Sequence, residues 1–467
     1  MPEMTFCHVW HSPAEETASA HSIAAEISRF ILPPCVWRAA VGARPDASDN
    51  SILLHCRQVR MTPPRCRQGR RVVCSCLCRR QNGGRDPLMK RICALSFLME
   101  MSGMLCFFTV PLLAVSFGIS GLFLGYLGAA GVGTYMTSAF VSGHLAERAG
   151  AKRLAALGVV LIGCASAAAL AASSISHLFL LTVGLNIGFG LFWAPFMTIV
   201  NRTGAPIGTA RTVSAFSFAW SLGGMVAPVF AGWLFQVWNR LPFLAALAGF
   251  FSVAAVLAGV EDNGGSAAES APQQGKDGSI AAAFFGVCAV FIVAFGCLRG
   301  QFPKLAAEVG ISARTLGILY TLMDASRTGV FALAGRHPGW FKRHGLIAAW
   351  TGVACLTLIG VVVSSSAWIH AVSFAAVGSA VGISYAYALH EVFRLRGGSG
   401  AVLGKMEAMF SFGMFAGSLS GGFAAWAFGI RGPYGFGCGL GVCAASVQAL
   451  LFRWQQVVSP QGGRDGV

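Results

Sequence analysis

The chain has 467 residues, 55% of them hydrophobic and 11% charged, with a formal net charge of +16. Soluble domains carry nearer a quarter charged residues, so a mean hydropathy of +0.65 over this length excludes a soluble globular protein and implies a multi-pass membrane protein. The positive charge does not indicate a nucleic-acid partner, because most Lys and Arg residues after residue 88 fall in short links between apolar runs.

Residues 1–88 differ from the rest. They hold twelve Arg and no Lys, lack an apolar run of the roughly 20 residues a spanning helix needs, and show no signal-peptide pattern. Seven of the fifteen cysteines fall here, including Cys74, Cys76 and Cys78, whose spacing fits no zinc site. Met89-Lys90-Arg91, followed by an apolar run, reads as a natural start. The segment is therefore expected to be a misassigned upstream extension or a disordered cytoplasmic tail. The other eight cysteines are scattered singly through apolar runs, where Cys acts as a small hydrophobe. No disulfide framework, metal site or cofactor is implied.

From residue 90 onward the sequence predicts twelve apolar segments of spanning length. They are 91–114, 121–143, 154–174, 176–200, 211–236, 241–260, 279–300, 312–335, 346–365, 367–390, 405–429 and 432–454. The polar stretch 261–278, rich in Gly, Ser, Gln and Asp, reads as a flexible cytoplasmic linker. It divides the chain into an N-terminal six-helix bundle (89–260) and a C-terminal one (279–454), with 455–467 as a cytoplasmic tail. With Met89 inside, sixteen Lys and Arg residues fall on the cytoplasmic side. Five (Arg240, Arg299, Lys304, Arg314 and Arg431) fall outside, and Arg327 lies within a segment. That bias places both termini in the cytoplasm.

The two bundles repeat. Pro111-x6-Gly118-Ile119-Ser120 recurs as Pro303-x6-Gly310-Ile311-Ser312, an offset of 192. Leu124-Gly125 recurs as Leu316-Gly317 at the same offset. Farther on the offset is 194: Gly184 and Gly188 recur as Gly378 and Gly382, Arg211 as Lys405, and Gly223 as Gly417. An even number of helices per repeat keeps both bundles in one orientation. The expected fold is all-α, with parallel repeats related by an axis along the membrane normal.

The link Gly143-x3-Glu147-Arg148-x-Gly150-x-Lys152-Arg153 joins the second and third segments. It resembles the signature Gly-x-x-x-Asp-Arg-x-Gly-Arg-Lys-x-Arg that the major facilitator superfamily keeps between its second and third helices, with Glu147 in place of Asp. A second family motif, Gly-x-x-x-Gly-Pro-x-x-Gly-Gly, is approximated by Gly223-x3-Ala227-Pro228-x2-Ala231-Gly232. In a third, Gly184 stands where the family's proton-linked Arg sits. The resemblance covers residues 90–454. It implies a secondary transporter whose bundles rock about a midplane site, with Glu147 and Arg148 holding the inward face closed and Lys152 and Arg153 anchoring the third helix at lipid headgroups.

Two stripes of small residues suit close helix packing: Gly413, Gly417 and Gly421, and Gly224, Pro228 and Gly232 beside Gly223. Charges within the apolar segments are the sharper clue. Glu100 lies midway along the first segment. Asp324 and Arg327 lie three apart in the eighth, on one helical face. Such residues cost about 2.5–3.5 kcal/mol each at mid-depth, which points to a polar interior. Glu100 and Asp324 are expected to bind substrate or protons, with Arg327 as counter-charge. Weaker candidates are Asn186, Trp193, Tyr385 and Tyr387. His177 and His370 are expected at the outer face in contact with solvent, and His390 and Glu391 exposed near the cytoplasmic end.

The function expected is movement of a small solute across the plasma or inner membrane by alternating access, coupled to a solute or proton gradient. The partners are that solute and the lipid bilayer, with the protein a monomer. A transport-inactive sensor or assembly factor on the same fold is the alternative. A membrane enzyme lacks a nucleophile–base or metal constellation.

Overall fold

The computed structural model describes residues 87–207, 209–260, 278–336, 343–396 and 400–458. The readings of residues 1–86 and of the linker 261–277 lie outside the described residues. Every described element is helical. In chain order these are α1 (Pro87–Ser116), α2 (Gly121–Ala149), α3 (Ala151–Ala169), α4 (Ile175–Ile207), α5 (Thr209–Val237) and α6 (Leu241–Ala258). Next come α7 (Gly278–Val293) with a π-helical continuation (Ala294–Arg299), α8 (Phe302–Glu308), α9 (Ala313–Arg336), α10 (His344–Leu356), α11 (Leu358–Val363), α12 (Ala367–Arg396), α13 (Gly400–Phe428) and α14 (Gly432–Val458).

The twelve predicted segments fall on helix with shifted ends, such as 154–174 stopping at Ala169 and 121–143 running on to Ala149, and three differ further. Segment 279–300 ends in a π-turn and is continued by α8; segment 346–365 breaks at Thr357 into α10 and α11; and α14 runs past the expected start of the tail at 455. Among the described residues, ten helical segments are long and apolar enough to cross a membrane. Two of the expected twelve, α2 and α9, fall outside the ten. They have 29 and 24 residues, so polarity rather than length excludes them.

The packing is patterned. Helix α1 lies along α5 and α6, α2 along α4, and α3 along α4 and α6. The same set recurs later: α7 lies along α13 and α14, α9 along α12, and α10 along α12 and α14. The largest contacts that join the sets are α2 with α13 and α5 with α9, and the short α8 also touches α1.

The repeated Gly-Ile-Ser sequences form the same turn twice. Gly118 has φ +76° and Gly310 φ +77°, the left-handed region that glycine enters without penalty. Ile119 N donates to Ala114 O at 3.3 Å and Ile311 N to Ala306 O at 2.7 Å, the six-to-one bond of a Schellman C-cap. Ser120 Oγ then accepts from Phe123 N at 3.4 Å, and Ser312 Oγ from Thr315 N at 3.2 Å, starting α2 and α9.

Glycines set the contacts between the sets. A Cβ on Gly125 would lie 2.7 Å from Gly422 Cα and from Ser418 O, and one on Gly128 would lie 2.9 Å from Ser418 Oγ. Gly232 packs on Ala313 O and Gly317 on Pro228 O. All of these lie toward the end of the bundle that holds the Gly118 and Gly310 turns. Toward the Gly150 end, Met136, Phe140, Val141 and Leu145 of α2 are exposed, and Gly329 of α9 has open space beside it. At that end α2 is held to α4 by Ser142 Oγ donating to Gly190 O at 2.8 Å.

The two stripes of small residues lie against different neighbours. Gly413, Gly417 and Gly421 abut the backbone of α7 and its π-turn, at Cys288, Ile292 and Gly296. Gly223 abuts Phe97 O of α1, whereas Gly232 and Pro228 abut α9.

Candidate functional site

Two backbone features position the charged side chains. The first is the π-turn, in which Gly300 N donates to Phe295 O at 2.8 Å. One extra residue in the turn re-aims the side chains that come after it, and such turns recur at functional sites. Arg299 closes it. The second is the three-residue step from Asp324 to Arg327 on α9, which puts both on the face turned toward α1, α5 and the π-turn.

Arg299 is the residue the sequence reading misplaced. It was expected at the outer surface, yet its Nη2 lies 2.6 Å from both Oδ1 and Oδ2 of Asp324. The Arg299 side chain is 15% exposed and that of Asp324 1%. Arg327 Nη2 approaches the same carboxylate at 3.4 Å and is 16% exposed. The expected Asp324–Arg327 pair is therefore real but secondary: the short contact is with Arg299. An apolar run that ends at an Arg looks like a helix emerging into water. Here the chain re-enters helix at Phe302, and the whole span runs Ala281–Glu308. The repeat offset of 192 carried the missing signal, because it maps Arg299 onto Phe107, well inside α1.

Glu100 enters from α1 and is 3% exposed. Trp220 of α5 lies beside it, and Arg327, Asp324 and Arg299 are the nearby charges. Gly224 leaves room between them: a Cβ there would lie 3.4 Å from Glu100 Oε1 and 3.8 Å from Arg327 Nη2. Aromatic faces complete the cluster. The Arg327 guanidinium sits 5.2 Å from the Trp220 ring centroid, and that of Arg299 5.6 Å from Tyr320 and 5.7 Å from Phe295. Tyr320 Oη donates to the carbonyls at the end of the π-turn, Leu298 O at 2.9 Å and Arg299 O at 3.0 Å. It thereby fixes the segment that carries Arg299. Two carboxylates and two guanidiniums thus meet where α1, α5, the π-turn and α9 converge.

The weaker candidates lie apart from these ion pairs. Asn186 Nδ2 donates to Thr182 O at 2.8 Å within α4. Trp193 is packed among Phe189, Phe192, Phe196 and Phe216. The Tyr385 ring lies between Phe331 and Phe410, and Tyr387 is fully buried beside His344 and Phe452.

The expected link is helical except at Gly150: Gly143 and Arg148 lie in the last turns of α2 and are exposed, as is Arg153 in the first turn of α3, while the Glu147 side chain lies outside the described residues. Gly150 takes φ +89° and makes the turn. Lys152 Nζ donates to Ala258 O at 2.8 Å, so it caps the end of α6 beside Arg91, which binds Gly259 O. Three exposure expectations are corrected, the first being His390, which is half-buried. His370 is fully buried against Phe302, with Nε2 3.1 Å from Ser364 O. Glu391 is buried as well. All three lie in the long α12, which packs against α7, α9 and α10 over much of its length.

The comparisons with known proteins agree on the fold. A bacterial homologue of the human lysosomal transporter Spinster, inward-facing and occupied, superposes with a TM-score of 0.63 at 17% identity, over 79% of this chain and 98% of that one. The nucleoside transporter NupG gives 0.63 at 14% identity, over 79% and 100%. The peptide transporter POT in complex with sulfate gives 0.59 at 16%, over 79% and 95%. No curated protein sequence is significantly similar to the chain. The family model of the Major Facilitator Superfamily matches residues 92–402, which is most of the helical region, and the chain belongs to that superfamily of membrane transporters.

Proposed function

We propose that the protein is a secondary active transporter that moves a small solute by alternating access, with the Glu100–Arg299–Asp324–Arg327 cluster as its substrate and proton site. The observation that carries this reading is the cluster's position. Glu100 comes from the first set of helices and Arg299, Asp324 and Arg327 from the second, so relative motion of the sets changes the contacts among these charges. Buried charges that only stabilise a fold need no such placement, and ionisable groups in spanning helices are costly enough to need a reason.

On this reading α1–α6 and α7–α14 are two parallel six-helix bundles, residues 89–260 and 279–454, with α2 and α9 completing twelve spans. Their polarity suits helices that line the path between bundles. The recurring helix contacts and the twin Gly118 and Gly310 turns support the duplication. The glycine contacts that join the sets toward the Gly118 end, and the exposed α2 side chains toward the Gly150 end, support a state open toward the latter. With the termini in the cytoplasm of a cell or inner membrane, that state faces inward. The protein works as a monomer. The Gly143–Arg153 link would act when the open end closes, Arg148 and Glu147 then meeting the other bundle.

Reconstitution tests the reading. Purified protein in proteoliposomes should accumulate its solute against a gradient when a proton or solute gradient is imposed. Flux that persists at wild-type level in Glu100→Gln and Asp324→Asn would remove the site.

A further inference from the structure

We infer that the site takes an organic anion, a carboxylate or similar monoanion on an aromatic or apolar body, with Arg327 as the residue that selects it. This rests on the transport reading above and adds the charge of the cargo.

The four charged groups are not equally accessible. The Arg299 and Arg327 side chains are 15% and 16% exposed, whereas Asp324 is 1% and Glu100 3%. The carboxylates therefore lie behind, and the face a ligand meets is cationic and aromatic. A cationic ligand would have to reach Asp324, whose two oxygens both accept from Arg299, or Glu100, which lies beside Trp220 and Arg327.

The two guanidiniums also differ from each other. Arg299 is tied down by the contact of its Nη2 with both Asp324 oxygens and by the nearby Phe295 and Tyr320 rings. Arg327 approaches Asp324 only at 3.4 Å, and its Nε is buried without a hydrogen-bond partner. A guanidinium has five donors and none can be deprotonated, and a buried donor left unpaired is unfavourable. A carboxylate that accepts from the Nε and Nη edge of Arg327 satisfies that donor in a fork geometry. It would also draw Arg327 away from its loose contact while Arg299 stays on Asp324. Trp220, under the Arg327 guanidinium, gives the ligand an apolar surface. Gly224 leaves the space between Glu100 and Arg327 that a side chain there would begin to fill.

The test uses purified full-length protein in detergent and three probe sets: benzoate, phenylacetate and indole-3-acetate, each with its amide and its amine. Carboxylates should raise the melting temperature in a dose-dependent way, and amides and amines should not. Arg327→Gln should abolish the rise while still melting cooperatively, and Arg327→Lys should keep a weaker one. The inference is overturned if the amines or amides stabilise as well as the acids, if no acid stabilises, or if the rise survives Arg327→Gln. Flux in proteoliposomes separates it from the reading beneath it. Acids that bind without being moved would overturn transport and leave the anion site. Movement of a cation instead would overturn the anion site and leave transport.

Discussion

Arg299 and Asp324, 25 residues apart in sequence, are joined by one guanidinium nitrogen, Nη2, shared between both carboxylate oxygens, which ties the π-turn after α7 to the middle of α9. Removing one partner of a buried pair leaves the other uncompensated and typically costs about 3–5 kcal/mol. Asp324→Asn leaves two guanidiniums facing each other's charge, and Arg299→Gln leaves Asp324 with only the 3.4 Å contact to Arg327. Each single variant should melt markedly below wild type. The double variant Arg299→Gln/Asp324→Asn should melt above at least one of them, because the pair is then removed together. Melting temperatures of the four proteins close the cycle, and additive losses would show that the contact carries no coupling.

Glu100 should govern the pH dependence of transport. The cluster holds two carboxylates and two guanidiniums, so it is neutral when all four are charged and carries one net positive charge after taking one proton. The charges that face Glu100 are Arg327 and Asp324 of α9 and Arg299 of the π-turn. Glu100→Gln fixes the proton-bound charge. Uptake should then lose its response to an imposed proton gradient, falling about tenfold or more under a gradient while exchange without one persists. Flux measured from pH 5.5 to 8 in both proteins checks this; an unchanged pH profile would remove Glu100 as the proton carrier.

The Gly118 end is also held by polar contacts that cross between the sets. Gln301 Nε2 donates to Gly121 O at 3.0 Å, and Lys304 Nζ donates to Ile119 O at 3.1 Å. Neither has a counterpart in the repeat, where Thr109 and Leu112 occupy the positions 192 residues earlier. Each bond contributes about 0.5–1.5 kcal/mol, more for the charged donor. Gln301→Leu combined with Lys304→Ala should therefore shift the population toward opening at this end. Spin labels on Ser120→Cys and Glu308→Cys, in a background without native cysteines, should report a larger fraction at long distance.

Part of the fold was legible in the sequence because matching motifs about 192 residues apart form matching local structure. The turns at Gly118 and Gly310 are one example. Arg240 and Arg431 form a second matching pair, one that the motif comparison did not pick out. Arg240, at the start of α6, binds Leu170 O and donates to Ala172 O at 2.6 Å; Arg431, just before α14, binds Val362 O and donates to Ser365 Oγ at 2.9 Å. Both arginines were placed at the outer end from charge counting alone, but their role as caps on α3 and α11 was not visible, since capping depends on where a neighbouring helix stops. Arg299 was missed for a related reason: hydropathy sees a run end and cannot see a π-turn continue it. His370 and Glu391 were misread because burial of a polar residue depends on which helices surround it, which a single segment does not encode. Arg240→Ala and Arg431→Ala should lower the melting temperature by similar amounts, each losing a charge-assisted cap worth about 1.5–3 kcal/mol.

Two glycines on helices α2 and α9 separate packing from freedom. At Gly125 an added Cβ would lie 2.7 Å from Gly422 Cα and Ser418 O, both backbone atoms that cannot step aside. At Gly329 nothing lies within 4 Å. Gly125→Ala should therefore push α2 off α13 and hinder closure of the Gly118 end, cutting transport about tenfold or more with a lower melting temperature. Gly329→Ala meets open space and gains the intrinsic helix preference of Ala over Gly, about 1 kcal/mol. It should be as stable as wild type or more so. Equal damage from both would mean that helical glycine is needed for flexibility throughout; damage confined to Gly125 assigns its role to the α2–α13 contact.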